Sequence, residues 1–187
     1  MRVIFITGTP GTGKSTLAKA LAKILKVKYI NIANLVKKKG FYVDYDEDRR
    51  SYIIDINKVK EEIRRIISSE SVVIEGHVVE AVPPEVIDAC IVLRLNPNIL
   101  KKRLEERKYS HKKILENVQA EMLDAVLIDA MRHFGKEKVF ELDVTGLNKE
   151  EVVSMVLKIL RGELKPKPGS VDWISTLGEE AEKYLKI

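Results

Sequence analysis

The sequence predicts an α/β fold in which a parallel sheet is covered by helices on both faces. Two observations support this prediction. Short apolar, β-branched runs alternate with amphipathic segments of helical period, and a glycine-rich loop separates the first strand from the first helix. Parallel strands that are buried on both faces are apolar along their whole length, as these runs are. The predicted strands cover residues 3–6, 28–31, 71–75, 89–95 and 139–142.

Apolar residues at helical spacing, together with residues that commonly end helices, predict the segments between these strands. Gly40 is suited to the C-terminal end of a basic helix, and Asn57, Asn96 and Asn148 are suited to N-caps. The prolines at 83 and 84 predict the start of a further short helix. The other predicted helices cover residues 15–25, 32–39, 58–68, 97–107, 112–133 and 149–161.

The composition is that of one globular domain. The chain has 187 residues, of which 45 % are hydrophobic and 33 % are charged, so it can bury a sizeable core. No run approaches the ~18 apolar residues of a membrane span, and no signal peptide is recognised, which predicts a cytoplasmic protein. The single cysteine, Cys90, lies in an apolar run and is expected to be a buried structural thiol. The net charge of +5 suits contact with nucleotides or RNA.

The glycine-rich loop, residues 8–15, matches the phosphate-binding pattern G-x-x-x-x-G-K-[ST] without a mismatch. A strand precedes it and a helix follows it, which is the context that this motif requires. Its backbone N–H groups are expected to surround an anion at the start of the helix. Lys14 is predicted to contact the β- and γ-phosphates of a nucleotide, and the Ser15 hydroxyl to bind Mg²⁺.

Further candidate residues follow the third and fifth predicted strands, because ligands of such sheets bind beyond the carboxyl ends of the strands. Glu75 ends the third strand and is predicted to hold Mg²⁺ directly or through its waters, because the chemistry of the phosphate loop calls for a second group beside the metal. An ordinary acid at a strand end is the alternative interpretation. His77 could position or deprotonate a nucleophile, or could be structural. Residues 143–146 reach the same crevice after the fifth strand.

Arg103 and Arg107 lie one helical turn apart, just before a predicted break in the helix. Arginines carried by a mobile lid stabilise the charge that spreads over a moving phosphoryl group. Neighbouring lysines at 101, 102 and 108 make a solvated basic surface the alternative interpretation.

Two segments have weaker predictions. Residues 41–56 are aromatic and acidic, and the pattern allows either an irregular binding loop or a solvated connection. Residues 163–169 predict a stiff, basic, proline-containing linker, followed by a helix over about 172–185. That tail could pack on the core or dock a partner, and packing is the simpler expectation.

Six motifs occur in order along the chain: Gly8 to Thr16, Tyr29 to Ile32, Tyr45-Asp-Glu, Glu75-x-His77, Arg103 to Tyr109, and Asn117-x-Gln-x-Glu121. Together they resemble adenylate kinase isoenzyme 6, an atypical adenylate kinase and ribosome-assembly ATPase. The resemblance covers about residues 1–160 and implies a nucleoside-monophosphate-kinase fold of the P-loop NTPase class, with strand order 2-3-1-4-5 and a short lid. It also implies Mg·ATP and AMP as substrates with ADP as product, ATP hydrolysis, and partnership with a small-subunit ribosomal protein and pre-rRNA.

The resemblance also implies roles for particular regions. The domain would cover residues 1–161 and the tail 162–187, with a monophosphate-binding region at about 31–54 and a lid at about 106–116. Residues 145–148 would flank the adenine. The implied ATP-binding residues are Gly11, Thr12, Gly13, Lys14, Ser15, Thr16 and the lid residue Arg107, and the AMP-binding residues are Asn34 and Lys37.

The chain departs from the family pattern at two of these positions. Glu75 stands where the family usually has aspartate, and the longer acid can shift the metal contact. Lys37 stands where ordinary adenylate kinases carry an arginine, and a lysine lacks the two-pronged guanidinium.

Three functional hypotheses follow. In the first, an adenylate kinase transfers the γ-phosphoryl of Mg·ATP to AMP with Lys14, His77, Arg103 and Arg107 as catalytic residues. In the second, a ribosome-assembly ATPase uses water as acceptor, and His77 positions that water. Lysines 37–39, the pair Arg49-Arg50 and the tail would then be partner surfaces. In the third, the loop is a structural nucleotide clamp without catalysis.

Overall fold

A five-stranded parallel sheet forms the centre of the protein in this computed structural model, which describes residues 2–47 and 51–185. The sheet order is β2-β5-β1-β6-β7, which confirms the predicted order 2-3-1-4-5 when the five strands of this sheet are counted along the chain. All four pairings are parallel. The strands are β1 (Val3–Gly8), β2 (Lys28–Asn31), β5 (Val72–Glu75), β6 (Ala89–Arg94) and β7 (Val139–Asp143).

Side chains alternate across the central strand and build one hydrophobic core on each face of the sheet. Ile4 and Ile6 of β1 belong to one core, and Val3 and Phe5 belong to the other. Every residue of β1, β5 and β6 is buried. Cys90 on β6 is fully buried as predicted, and burial raises the pKa of its thiol.

Helices cover both faces of the sheet, and several of their predicted ends are confirmed. Gly40 closes α2 with φ 68°, and Asn148 begins α7 in a reciprocal capping box with Glu151. The helices are α1 (Lys14–Leu25), α2 (Ile32–Lys39), α3 (Ile56–Ile67), α4 (Pro97–Glu106), α5 (His111–Met122), α6 (Ala125–Phe134), α7 (Lys149–Leu160), α8 (Trp173–Leu177) and α9 (Glu182–Leu185).

Three helix predictions were wrong in detail. Asp55, not Asn57, caps α3, because its carboxylate accepts the N–H of Lys58. The single helix predicted over 112–133 is two helices, α5 and α6, because Asp124 adopts φ 56° and interrupts the helical path. The prolines begin a short 3₁₀ turn, Pro84–Val86, instead of an α-helix.

Segment 41–56 contains an antiparallel hairpin. It is therefore neither of the two predicted alternatives, an irregular binding loop or a solvated connection. Its strands are β3 (Tyr42–Asp46) and β4 (Ser51–Ile54). Tyr52 packs against Tyr42 and Tyr45 on it, with ring centroids 4.4 and 5.2 Å apart. The pair Arg49-Arg50 lies outside the described residues.

The C-terminal tail packs on the core as expected, although it is not one helix. Gly178, with φ 53°, separates α8 from a 3₁₀ turn that leads into α9. Trp173 and Ala181 are each only 4 % exposed and belong to the same core as α1, α4 and α5. Within the described ranges, every helix is too short or too polar to traverse a lipid bilayer.

Candidate active site at the phosphate loop

The phosphate loop joins β1 to α1 and is held by bonds within itself. The Thr12 N–H and hydroxyl both donate to the Thr9 carbonyl, at 3.2 and 2.9 Å. Gly13 precedes α1 with φ 103°, and Gly11 has φ 100°, both in the left-handed region. A Cβ on Gly11 would lie 2.8 Å from a methyl group of Leu100, so glycine is required there for packing as well as for conformation.

Lys14, the first residue of α1, points back across this loop. Its Nζ donates to the carbonyls of Gly8 at 2.8 Å and Thr9 at 3.1 Å. Burial lowers the pKa of Lys14 from 10.5 to about 8, against the opposing charges of Glu75 and Glu121. The ammonium group is therefore partly desolvated and held by two carbonyls of the phosphate loop.

Glu75, at the end of β5, is 2 % exposed and is held by three donors. It accepts from Ser15 Oγ at 3.0 Å, from Tyr29 Oη at 2.7 Å and from Asn31 Nδ2. Burial and the bond to this carboxylate raise the pKa of Tyr29 to about 12. The structure thus brings together the two residues predicted to bind magnesium, and β2 fixes the orientation of the carboxylate.

His77 lies two residues beyond β5 and lines the same cavity as Lys14. Its side chain is exposed, yet neighbouring protein partly desolvates the imidazole. This desolvation, followed by the positive charges of Lys14 and Lys113, lowers the pKa of His77 below its ordinary value of 6.5. The imidazole is therefore mainly neutral at pH 7 and can accept a proton.

Arg103 and Arg107 both reach the phosphate loop. Arg103 Nη1 donates to the Gly11 carbonyl at 3.3 Å. Arg107 is the C-cap of α4, immediately before the turn that leads to α5. It contributes to the lining of two separate cavities.

The larger cavity has a volume of about 530 Å³ and lies between the phosphate loop, His77 and α5. Besides the predicted residues, it is lined by Tyr109, Lys113 and Asn117. Sequence reasoning assigned none of these three residues an individual role, although Tyr109 and Asn117 belong to the motifs of the resemblance and Tyr109 and Lys113 lie in the predicted lid. The four-residue spacing of Lys113 and Asn117 places them on one side of a helix, and this spacing could have identified them as residues that line the site together.

The smaller cavity, of about 300 Å³, lies on the other side of the loop, between α1, Arg103 and the start of α7. Leu147 and Asn148, from the segment predicted to flank adenine, line it together with Val144 and Val152. Thr145 instead accepts the Asn96 N–H through its hydroxyl. Gly13, Thr16 and Arg107 border both cavities, so the cavities meet at the phosphate loop.

Asn34 and Lys37 are not brought to this site. Both are exposed on α2, and the Asn34 N–H donates to the capping side chain of Asn31. Within residues 2–47 and 51–185, the lining of the two cavities does not include them. Their assignment to AMP binding stays a prediction.

The model of the AAA domain family matches residues 4–124 of this chain. That range includes the phosphate loop, Glu75, His77 and both arginines. It covers more than half of the sequence.

The chain belongs to the AAA domain family.

Archaeal relatives match almost the whole chain, including the tail beyond residue 160. A protein of Methanocaldococcus jannaschii described as "Putative adenylate kinase" is 43 % identical over 97 % of this chain and 94 % of its own length. Proteins with the same description from Archaeoglobus fulgidus and Thermococcus kodakarensis are 38 % and 36 % identical. These matches cover 98 % and 99 % of this chain and the same shares of the relatives.

Solved kinase structures share the fold. A shikimate kinase from Bacteroides thetaiotaomicron superposes with a TM-score of 0.54 at 16 % identity, over 86 % of this chain and 98 % of its own. A gluconokinase from Sinorhizobium meliloti superposes with a TM-score of 0.52 at 19 % identity, over 87 % of this chain and 97 % of its own. At such identities the likeness establishes the α/β architecture alone and carries no information about the reaction.

Proposed function

We propose that this member of the AAA domain family is a magnesium-dependent nucleoside monophosphate kinase that transfers the γ-phosphoryl group of ATP to AMP, giving two ADP. The observation that carries the proposal is the pair of cavities that meet at the phosphate loop and share Gly13, Thr16 and Arg107. A hydrolase needs one nucleotide site, whereas a kinase needs a donor site and an acceptor site on either side of the moving group. The names of the archaeal relatives support the same reaction class.

The donor is assigned to the smaller cavity, with adenine against the side chains of Val144, Leu147 and Val152. Its triphosphate would then follow the loop amides of residues 11–16 towards the larger cavity. Lys14 would contact the β- and γ-phosphates, and Arg103, held by the Gly11 carbonyl, would approach the transferring group.

The acceptor is assigned to the larger cavity, in the region that Tyr109, Lys113 and Asn117 line. The proposed lid at about 106–116 would supply Tyr109 and Lys113, and Arg107, which lines both cavities, would face the phosphates of both ligands. The monophosphate-binding region at about 31–54, with Asn34 and Lys37, would have to move towards this cavity. A Lys37→Ala variant with an unchanged KM for AMP would remove that residue from the acceptor site.

A magnesium ion fits the donors beside the loop. Ser15 and Glu75 present neighbouring oxygen atoms, and oxygen is the ligand type that Mg²⁺ selects. The described residues contain no group of three or more His, Cys, Asp or Glu side chains that could hold a metal, so one hydroxyl and one carboxylate are the protein donors assigned. When bound, the ion neutralises charge on the β- and γ-phosphate oxygens. Tyr29 and Asn31 keep Glu75 turned towards Ser15.

The test is an acceptor screen with Mg·ATP and AMP, CMP, UMP, GMP or dAMP. ADP formation should rise several-fold with AMP, and chelation of magnesium should abolish it. If none of the five monophosphates stimulates ADP formation, the kinase assignment is wrong.

A second candidate reaction is ATP hydrolysis, and the position of His77 favours it. Its imidazole lines the larger cavity with Lys14, is mainly neutral at pH 7, and can orient a water molecule towards the γ-phosphate. In a His77→Ala variant, ADP formation without AMP should fall more than the AMP-dependent rate. Equal losses in both rates would exclude a special role in hydrolysis.

The ribosomal role stays a prediction from the resemblance to isoenzyme 6, as does the cytoplasmic location. Lysines 37–39 are exposed on α2 and remain available as a partner surface. Residues 173 and 181 of the tail are buried against the core, so those two positions are not available to a partner. Copurification with a small-subunit ribosomal protein or with pre-rRNA fragments is the direct test, and failure to bind either would end this hypothesis.

A further inference from the structure

A group of four charged side chains lies behind the phosphate loop, outside the lining of the two cavities, and three of them are buried while Asp124 is half-buried. Arg94 ends β6 and is 2 % exposed. Its guanidinium pairs with Glu121, with Nε 2.8 Å from Oε1, and also with Asp124 and Glu141. Burial opposes the charge of Arg94, but these three carboxylates together raise its pKa above the ordinary value. We call these four residues the Arg94 cluster.

The Arg94 cluster reaches the phosphate loop through Glu121. Glu121 Oε2 accepts the Thr9 hydroxyl at 2.5 Å, and both residues are buried. The carbonyl of the same threonine accepts Lys14 Nζ at 3.1 Å and the Thr12 hydroxyl at 2.9 Å. Thr9 therefore connects the buried carboxylate to the lysine assigned to the nucleotide phosphates.

The Arg94 cluster is completed by the C-terminal tail. Trp173 Nε1 donates to Glu121 Oε1 at 3.0 Å. The N–H groups of Ser170 and Val171 donate to Glu141 Oε2 at 2.7 and 3.3 Å. The remaining donor to Glu121 is the Leu95 N–H, at 3.1 Å.

The tail also bridges the two helices on either side of the predicted lid. Tyr184 Oη donates to Asn98 Oδ1 on α4 at 2.5 Å. The Tyr184 carbonyl accepts Gln119 Nε2 on α5 at 2.7 Å. The segment that fixes Glu121 thus also fixes the helices that carry the lid.

Stability alone is a poor explanation for such an arrangement. Buried ion pairs often contribute no more to folding than well-packed apolar residues of similar volume. A carboxylate that accepts four bonds from three separate segments, here the phosphate loop, residues 94–95 and the tail, does, however, hold those segments at fixed positions. Three of the four contacts place Glu121, and the fourth is the contact to the loop.

We propose that Glu121 and Trp173 are positioning residues of the phosphate loop: the tail indole orients the Glu121 carboxylate, which holds Thr9 and so places Lys14 against the nucleotide phosphates. This inference rests on the proposed kinase function of the loop. It gives the tail a role in catalysis without contact to any substrate.

The first experiment uses two matched substitutions at Thr9. Thr9→Val keeps the shape of the side chain and removes the hydroxyl, and Thr9→Ser keeps the hydroxyl and removes a methyl group. Thr9→Val should lower kcat about three- to tenfold, the factor expected for one hydrogen bond of ordinary strength, with KM for ATP within about twofold. Thr9→Ser should restore most of the rate, which a purely packing role of Thr9 would not produce.

The second experiment is a double-mutant cycle between the loop and the tail. Trp173→Phe keeps an aromatic ring and removes the indole N–H, and it should lower kcat by a similar factor. Because both changes act through one carboxylate, the double variant should be barely slower than either single variant. Val156→Ala on α7 is the control, because Val156 is fully buried in the same core and lies outside the Arg94 cluster. In the double variant of Val156→Ala with Thr9→Val, the two factors by which kcat falls should multiply.

The outcomes separate this inference from the proposed function. If wild-type protein neither binds Mg·ATP in calorimetry nor forms ADP, both fail. If wild type is active and the effects of Thr9→Val and Trp173→Phe simply multiply, or if neither changes kcat, the positioning inference alone is wrong. Circular dichroism at the assay temperature confirms that each variant is folded, and Thr9→Val with its serine partner decides the question if Trp173→Phe does not fold.

Discussion

Replacement of Lys14 by methionine should stabilise the nucleotide-free protein while removing most of its activity. Lys14 is half-buried, and its pKa falls to about 8 mainly because the surrounding protein desolvates the ammonium group. Methionine has a similar length and no charge to desolvate. The loop would thus lose an unfavourable charge together with the group assigned to the nucleotide phosphates, and turnover should fall by about 10²–10³.

The magnitude follows from proton linkage. A pKa of about 8 in the folded protein, against 10.5 in the unfolded chain, means that folding weakens proton binding at Lys14. Below pH 8 this difference destabilises the fold by about 3 kcal/mol, and the destabilisation declines as pH rises towards 10.5. Between pH 7 and pH 9 the wild type should gain about 1 kcal/mol from Lys14, and the methionine variant should gain nothing from this position.

The assay is urea unfolding of wild type and Lys14→Met at pH 7, 8, 9 and 10, with chelator and without nucleotide. Groups distant from Lys14 titrate alike in both proteins, and the pKa of His77, which the charge of Lys14 lowers, lies below this pH range. The difference between the two free energies of unfolding therefore mainly reports Lys14. The variant loses the bonds to the Gly8 and Thr9 carbonyls, which reduces its gain at every pH. The pH trend is therefore the decisive quantity. A difference that stays constant from pH 7 to pH 10 would refute the assignment of Lys14 as a desolvated cation.

Three further predictions concern the glutamate beside the loop, the loop glycines and the tail. Glu75→Gln should raise the magnesium concentration needed for half-maximal activity, because a neutral amide is a weaker ligand. If the variant needs the same magnesium concentration as wild type, Glu75 is not a metal ligand. Gly11→Ala should lower the melting temperature more than Gly13→Ala. Both glycines have positive φ, but only a Cβ on Gly11 would lie 2.8 Å from a leucine methyl group. Equal decreases in melting temperature by calorimetry would contradict this steric explanation. Trp173→Ala should lower the free energy of unfolding by about 3–5 kcal/mol, because Trp173 is 4 % exposed. Ile174→Ala should change it by about 0.5 kcal/mol or less, because Ile174 is 43 % exposed. Chemical denaturation measures both, and similar values for the two variants would show that the tail does not pack as described.

The sheet and the phosphate loop were predictable because their signals are local. Apolar runs identify strands that are buried on both faces, and the G-x-x-x-x-G-K-S string sets its own backbone conformation between β1 and α1. Gly40 and Asn148 end their helices for reasons visible within four residues of sequence. The meeting of Ser15 with Glu75 followed from the rule that ligands bind beyond the carboxyl ends of parallel strands.

The remaining features depend on contacts between distant segments. The break between α5 and α6 has no glycine or proline, and the left-handed backbone of Asp124 accompanies its ion pair with Arg94, thirty residues earlier. Tyr109 and Lys113 reach the larger cavity only because of the turn between α4 and α5. The hairpin at 41–56 was not recognised because the side chains of β3 are mostly exposed and its tyrosines pack against one another.

In the proposed kinase reaction, Arg107 has a consequence for how the donor and acceptor nucleotides share the protein. One guanidinium borders both cavities, so the first polyanion to arrive neutralises a cation that the second would also have used. On this account the two ligands oppose each other energetically, and by reciprocity each weakens the other by the same factor. A neutral residue in place of Arg107 should therefore reduce the factor by which each nucleotide weakens binding of the other. The same change should lower the affinity for each nucleotide alone.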